Sequence, residues 1–337
     1  MKMKRAILAN VVFAFAVAIL IAGCAQKATR APGAGELKLA VIGKSVHPYW
    51  GEVEVGTKAA AKELGVRVDF FVPPKEDAME QSSRIRAFAS SGAKGIAFAA
   101  SDPTTVLPAV KKAIGEGIVC IALDTDAPKS GRLAYVGTDN YTAGRLAGEA
   151  MGKILNGKGK VLVGTGSLTA TNSLDRMRRF EDVLKEKFPG IKIVEKIVDS
   201  EDSAAAVNLA KAALVRYDDV NGFFGVYAIN GPAAATAVKA AKKVGEVHIV
   251  CFDTTPEHMN GIKAGVIDAT VGQRPYMMGY KSVKLLKDII EMGKDKAFVE
   301  NGVKDQKLDT GVDVVTKADL ESYRAKLKEM GIPVEGW

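Results

Sequence analysis

The sequence predicts an α/β fold built as two doubly wound parallel-sheet lobes. Three observations predict it. Short apolar runs rich in β-branched residues alternate with segments of helical spacing, the pattern of parallel strands covered by helices on both faces. The alternation breaks near Thr138–Asn140 and then starts again, so there are two series rather than one. The 34 glycines among 337 residues suit a chain with many strand-to-helix turns.

Taken in order, Leu37–Ile42 reads as the first strand, followed by a polar loop, Gly43–Trp50, that holds Tyr49 and Trp50. Val53–Leu64 has helical spacing and Gly65 ends it. Val66–Val72 is a strand that leaves through Pro73-Pro74. Ala78–Ser91 is a helix, Gly95–Ala99 a strand, and Thr104–Glu116 a helix behind Ser101-Asp102-Pro103 as cap. Ile118–Leu123 is a strand ending on Asp124. Tyr135–Asn140 is a short strand and the switch point, with a helix from Thr142 to about Leu155.

The second series begins at Lys160–Val163. A helix from about Ser173 to Phe188 follows, then strand Ile191–Val198, helix Ser203–Arg216, strand Val220–Val226 and helix Pro232–Val244. Val247–Phe252 is a buried strand ending on Asp253. Pro256 starts a helix with Thr255 in front of it, Gly265 breaks that helix, and Asp268–Gly272 is a strand ending at Gln273. Tyr276–Glu291 is a helix and Thr310–Thr316 a last extended piece. The tail beyond it reads as a helix plus a loose end that contains Trp337.

Composition narrows the function. A length of 337 residues with 47% apolar residues supports about two domains with sizeable cores. The net charge is +8, yet no run of five or more basic residues occurs and the lysines are spread along helix faces. That is a solvated surface rather than a nucleic-acid footprint. Cys120 and Cys251 lie in apolar strands of different lobes, so no disulfide is expected between them. No CxxC or His/Cys spacing suggests a metal. Enzyme fingerprints are missing too. Gly164-Thr165-Gly166 lacks the third glycine of a dinucleotide loop, Gly43-Lys44-Ser45 lacks the upstream glycine of a P-loop, and no G-x-S-x-G elbow occurs. No catalytic residue and no cofactor are expected.

The N-terminus reads as an address. Lys2, Lys4 and Arg5 precede the apolar stretch Ala6–Ala22, which closes on Ile21-Ala22-Gly23-Cys24. Charged start, apolar middle and small-residue end mark residues 1–23 as a secretory signal. The ending resembles a bacterial lipobox, with Cys24 lipidated. Residues 24–35 are then a small-residue tether to a membrane on the non-cytoplasmic side.

In open α/β sheets, ligands sit beyond the carboxyl ends of strands. Phe252, Asp253 and Gln273 fall there, as does Asp124, with Tyr49 and Trp50 in the first loop and Arg176 near the start of its helix. Ring faces accept the C–H face of a sugar. Carboxylate, guanidinium and amide groups bond its hydroxyls, at about 1.5–3 kcal/mol for each charge-assisted bond. The residues alone leave a second role open for each: interdomain packing for Tyr49 and Trp50, turn capping for Asp124 and Asp253, a surface pair with Asp175 or Glu181 for Arg176, and backbone satisfaction for Gln273.

The ordered set of Pro48-Tyr49-Trp50, Ile121-Ala122-Leu123-Asp124, Val136-Gly137-Thr138-Asp139-Asn140, Asp175-Arg176 with Phe180, Phe252-Asp253 and Gln273 resembles the ribose-type periplasmic sugar-binding proteins, the solute receptors of bacterial ABC importers. The likeness spans Leu37–Thr316. It implies a type I periplasmic binding protein fold, with two lobes joined by three hinge crossovers near Thr138–Asp139, Gln273–Arg274 and about Asp305–Asp309. The lobes would be 36–138 plus 274–304 and 139–273 plus 305–337.

The resemblance also implies a ligand site made of Tyr49, Trp50, Asp124, Thr138, Arg176, Tyr227, Phe252, Asp253 and Gln273. Departures from the family pattern are Tyr227 where members often carry Asn-Asp, Ala99-Ala100 in place of an Asn or Ser, Thr125 after the first carboxylate, and Gly43-Lys44 with His47 in the first loop. They favour a ligand other than ribose. The resemblance implies a monomeric receptor for a monosaccharide or polyol, partnered by a membrane ABC permease. A receptor for chemotaxis, a sensor kinase or a quorum signal would use the same cleft.

Overall fold

The structure, a computed structural model, describes residues 36–332 and 334. The expected signal segment, Cys24, the tether and Trp337 lie outside the described residues.

The first series folds as β1 (Lys38–Ile42), α1 (Pro48–Leu64), β2 (Arg67–Phe71), α2 (Ala78–Ser90), β3 (Gly95–Phe98), α3 (Pro103–Gly115), β4 (Val119–Leu123) and β5 (Tyr135–Gly137). The second is α4 (Asn140–Ile154), β6 (Lys158–Thr165), α5 (Thr171–Lys187), β7 (Gly190–Val198), α6 (Ser203–Arg216), β8 (Gly222–Gly225), α7 (Asn230–Ala240), β9 (His248–Phe252), α8 (Pro256–Lys263) and β10 (Ala269–Gly272). The chain then runs through α9 (Pro275–Met292), α10 (Lys294–Asn301), β11 (Lys307–Asp309), β12 (Asp313–Thr316) and α11 (Leu320–Glu329).

Two six-stranded sheets result, ordered β11-β5-β4-β3-β1-β2 and β12-β10-β9-β8-β6-β7. Read from the other edge, both follow the 2-1-3-4-5 order of a doubly wound sheet, plus a sixth strand. That sixth strand is parallel to β5 in the first lobe and antiparallel to β10 in the second. Successive strand residues face opposite sides. Leu39 and Val41 therefore join a core under α1 and α9, whereas Ala40 and Ile42 join one under α2 and α3. The second lobe repeats this. Val161, Val163 and Phe224 face α4 and α5, while Leu162 and Phe223 face α6, α7 and α8.

The repeat extends to hydrogen bonds. The backbone N–H of Asp124, just past β4, donates to the Val136 carbonyl of β5 (2.9 Å). That of Asp253, just past β9, donates to the Val271 carbonyl of β10 (2.9 Å). The side chain one residue before each acceptor, Tyr135 or Thr270, donates to the carbonyl of the matching aspartate at 2.8 and 2.7 Å. The two aspartates therefore occupy equivalent places in the two lobes.

Several expectations are corrected. Tyr49 and Trp50 are not in a loop: α1 starts at Pro48, because the His47 side chain accepts from the Tyr49 N–H and Pro occupies the first turn. α10 was not foreseen. It has one fully buried side chain, Ala297, and hence no apolar stripe to read. The third crossover is not at Asp305–Asp309, because Lys307–Asp309 pairs with β5 as an edge strand of the first sheet. The passage to the second sheet falls between Asp309 and Asp313. The tail after Thr316 packs through Tyr323, Leu327, Ile332 and Val334 against Val315 of β12 and against Tyr276 and Met277 of α9. Cys120 and Cys251 are buried free thiols.

Candidate functional site

A small cavity of about 30 Å³, room for about two waters, lies between the lobes. The first lobe contributes Lys44, His47, Tyr49, Trp50 and Asp124. The second contributes Asn172, Arg176, Glu201, Tyr227, Asp253 and Gln273, with the backbone and side chains of Ala228 and Ile229. Each follows the carboxyl end of a strand. Lys44 to Trp50 follow β1, Asp124 follows β4, and Asn172 and Arg176 follow β6. Glu201, Tyr227, Asp253 and Gln273 follow β7, β8, β9 and β10.

Both aspartates sit in left-handed backbone, Asp124 at φ 57° and Asp253 at φ 79°. Non-glycine residues there cost about 1–3 kcal/mol and cluster at functional sites. Here the turn aims each carboxylate into the cleft. Asp124 accepts from the Tyr49 hydroxyl and from Thr125 Oγ1, both at 2.6 Å. Burial, with Asp124 beside it, raises the Tyr49 phenol well above its usual range, so it stays a donor. The Trp50 ring stands edge-on to Tyr49, with centroids 5.2 Å apart, and forms the apolar wall. Burial pushes the His47 imidazole down, which keeps Nδ1 free to accept from the Tyr49 N–H.

On the second lobe, Arg176 is buried and held on every side. Its Nε donates to Asn140 (2.8 Å), Nη1 to the Val226 carbonyl (2.9 Å) and Nη2 to Gln273 Oε1 (2.7 Å). The guanidinium lies 4.1 Å from the centre of the Phe252 ring. Gln273 passes the polarity on: its Nε2 donates to Asp253 Oδ1 (2.7 Å), and its Oε1 also accepts from Thr138 Oγ1 (2.8 Å). Burial raises the Asp253 carboxyl to about 7, against the pull of Arg176. It is poised between accepting from and donating to a ligand hydroxyl. Gly144 of α4 lets α5 approach at Arg176, since a Cβ there would meet the Arg176 carbonyl oxygen at 2.4 Å.

The structure thus brings Tyr49, Trp50, Asp124, Arg176, Tyr227, Asp253 and Gln273 around one cavity. Thr138 and Phe252 do not line it. Thr138 fixes Gln273 at the first crossover, and Phe252 supports Arg176 from behind. Asn230 does not line it either: its side chain accepts from the Tyr227 N–H and donates to Asp199. The lining residues not foreseen as ligand contacts are Lys44, His47, Asn172, Glu201, Ala228 and Ile229. The unusual first loop was a signal for Lys44 and His47. Asn172, one helical turn before Arg176, could have been found from that spacing. Among the described residues, no cluster of His, Cys, Asp and Glu is placed to hold a metal ion. No helix among them is long and apolar enough to cross a membrane.

With this geometry in place, residues 40–295 match the model of the periplasmic binding protein domain. The chain belongs to the periplasmic binding protein family. Its relatives are of the ribose type. The D-allose-binding periplasmic protein of Escherichia coli K12 is 29% identical over 265 residues, which covers 76% of this chain and 85% of the relative. Among solved structures, a solute-binding protein of Burkholderia graminis in complex with D-arabinose is 34% identical with a TM-score of 0.79, covering 85% of this chain and 97% of the other. The glucose-galactose binding protein GanP of Geobacillus stearothermophilus is 35% identical with a TM-score of 0.79, covering 85% and 99%. The XylFII–LytSN complex matches at 29% identity with a TM-score of 0.77, covering 84% and 99%. The fold is therefore that of a type I periplasmic binding protein, and the aspartates at the ends of β4 and β9 face one another across this family member's cleft.

Proposed function

We propose that the protein is an extracytoplasmic, lipid-anchored receptor that binds a monosaccharide or related polyol between its lobes and delivers it to an ABC importer. The observation that carries this reading is the pair of equivalent strand-end carboxylates, Asp124 and Asp253, one from each lobe, at a single small cavity walled by Trp50 and backed by Arg176. A ligand that bonds both lobes favours the closed state by its differential affinity, and closure is what a permease can read. Relatives described as binding D-allose and D-arabinose support the ligand class. No bond of the ligand is broken, and the receptor works as a monomer.

A thermal-shift screen of the purified protein against pentoses, hexoses, polyols and nucleosides tests the reading. At a thousandfold excess over Kd, binding stabilises by about 4 kcal/mol. One sugar-like hit, lost in Asp253→Ala, is the expected result. A panel without a sugar or polyol hit, or a hit indifferent to Asp253, would sink it. The departures from the ribose-type pattern in the strand-end loops favour a sugar other than ribose. A ribose affinity tighter than that for every other sugar and polyol tested would refute that choice. Lipidation is tested by Cys24→Ser, which should move the protein from the membrane to the soluble fraction.

The likeness to the XylFII–LytSN complex supports a second reading, a sensor subunit that presents its occupied state to a partner protein. Sugar uptake in cells lacking the gene separates the two. Uptake is lost for an importer subunit. It persists, with a lost response to the sugar, for a sensor.

A further inference from the structure

Lys44 is an unusual residue to find in a sugar cleft. It follows β1 on the first lobe and is 1% exposed. Its ammonium lies 2.7 Å from Glu76 of its own lobe. From the second lobe it meets Glu201 at 3.4 Å and donates to the Tyr227 hydroxyl at 2.9 Å. It also sits 4.4 Å from the centre of the Tyr227 ring. The next residue, Ser45, donates to the other oxygen of Glu201. Two successive residues of one lobe thus grip one carboxylate and one phenol of the other.

Lys44 donates a hydrogen bond to the Tyr227 hydroxyl and forms ion pairs with Glu76 and Glu201, so its charge is met by protein groups of both lobes. Its counter-ion within the first lobe, Glu76, stays with it when the lobes separate. Glu201 and Tyr227 belong to the second lobe, so separation of the lobes would break these two contacts. Another bond across the cleft, Thr171 Oγ1 to the Asp126 carbonyl at 2.8 Å, is between uncharged groups. A buried, hydrogen-bonded charge pair acts chiefly on the rate of separation.

We propose that Lys44 is a positioning residue that latches the closed lobes through Glu201 and Tyr227 and so slows ligand release. This rests on the reading of the cleft as a sugar site. The latch contributes to retention of whatever sugar the cleft accepts, whereas Asp124, Asp253 and Arg176 choose among sugars.

The test is stopped-flow binding of the three best sugars from the screen to the wild-type protein, to Glu201→Gln and to Tyr227→Phe. Glu201→Gln leaves Lys44 paired with Glu76, and Tyr227→Phe keeps the ring, so a second variant is at hand if either folds poorly. The latch predicts a release rate raised about tenfold, equivalent to about 1.4 kcal/mol, by the same factor for every sugar and with association little changed. An unchanged release rate would overturn it. So would a change that reorders the sugars, since Glu201 or Tyr227 would then be touching the ligand directly. If the wild-type protein binds no sugar at all, the cleft reading itself fails, and a ligand-retaining latch fails with it.

Discussion

Arg176 shows how a single residue organises this site. Its guanidinium uses a planar fork to hold Asn140, the Val226 carbonyl and Gln273 at once, with Phe252 against its face. A lysine offers a point charge and cannot reproduce the fork. Arg176→Lys should leave buried acceptors unpaired, at about 1–3 kcal/mol each. The melting temperature should fall, and ligand affinity should drop about tenfold or more as Gln273 and Asp253 lose their alignment. Calorimetric titration and a thermal melt on the same variant check this; wild-type values in both would contradict the assigned role. At this scale the sequence was legible where a strand ends on a charged residue, as at Asp124 and Asp253. It was not legible at Lys44 and Glu201. Their loops belong to different lobes, and the Ser45–Glu201 bond joins positions 156 residues apart.

The elements matter through how closely they approach. α4 can press on α5 because Gly144 has no side chain, and this fixes the height of Arg176 over the cleft. In Gly144→Ala the added methyl meets the Arg176 carbonyl oxygen at 2.4 Å and its Cα at 2.9 Å. Overpacking of this kind costs about 1–3 kcal/mol. Stability and affinity should fall together. Gly115→Ala, at the end of α3 with nothing within 4 Å, should be neutral or stabilising by up to about 1 kcal/mol. Equal thermal shifts for the two would refute the packing argument. The alternation of strands and helices was readable because apolar periodicity differs between them. α10 was not readable, since one buried alanine gives no period. The start of α1 was set by a histidine cap, a role usually filled by Ser, Thr, Asp or Asn.

Over the whole molecule, the cleft gathers buried carboxylates, and this gives stability a pH dependence of definite sign. Burial raises Asp253 and Asp199 from 3.8 to about 7. Between those values the folded protein holds protons that the unfolded chain has released, so stability falls as pH rises from about 4 to about 7. Burial lowers His258 from 6.5 to about 3, and in that window it acts in the opposite sense, adding stability as pH rises. Above the unfolded His258 value of 6.5 its contribution is constant and the carboxylates act alone. The melting temperature should therefore decline from about pH 6.5 to about pH 8, with a smaller decline in Asp199→Asn. A rise across that interval would contradict the assignment.

The lobes are two copies of one strand order, and the equivalence of Asp124 and Asp253 follows from it. The measurement that tests the central claim most directly is calorimetric titration of the best sugar against Asp124→Asn and Asp253→Asn. If the sugar bridges both lobes, each substitution weakens binding at least about tenfold. If either variant binds as tightly as the wild type, the ligand does not engage that lobe's carboxylate, and the two-lobed site described above is wrong.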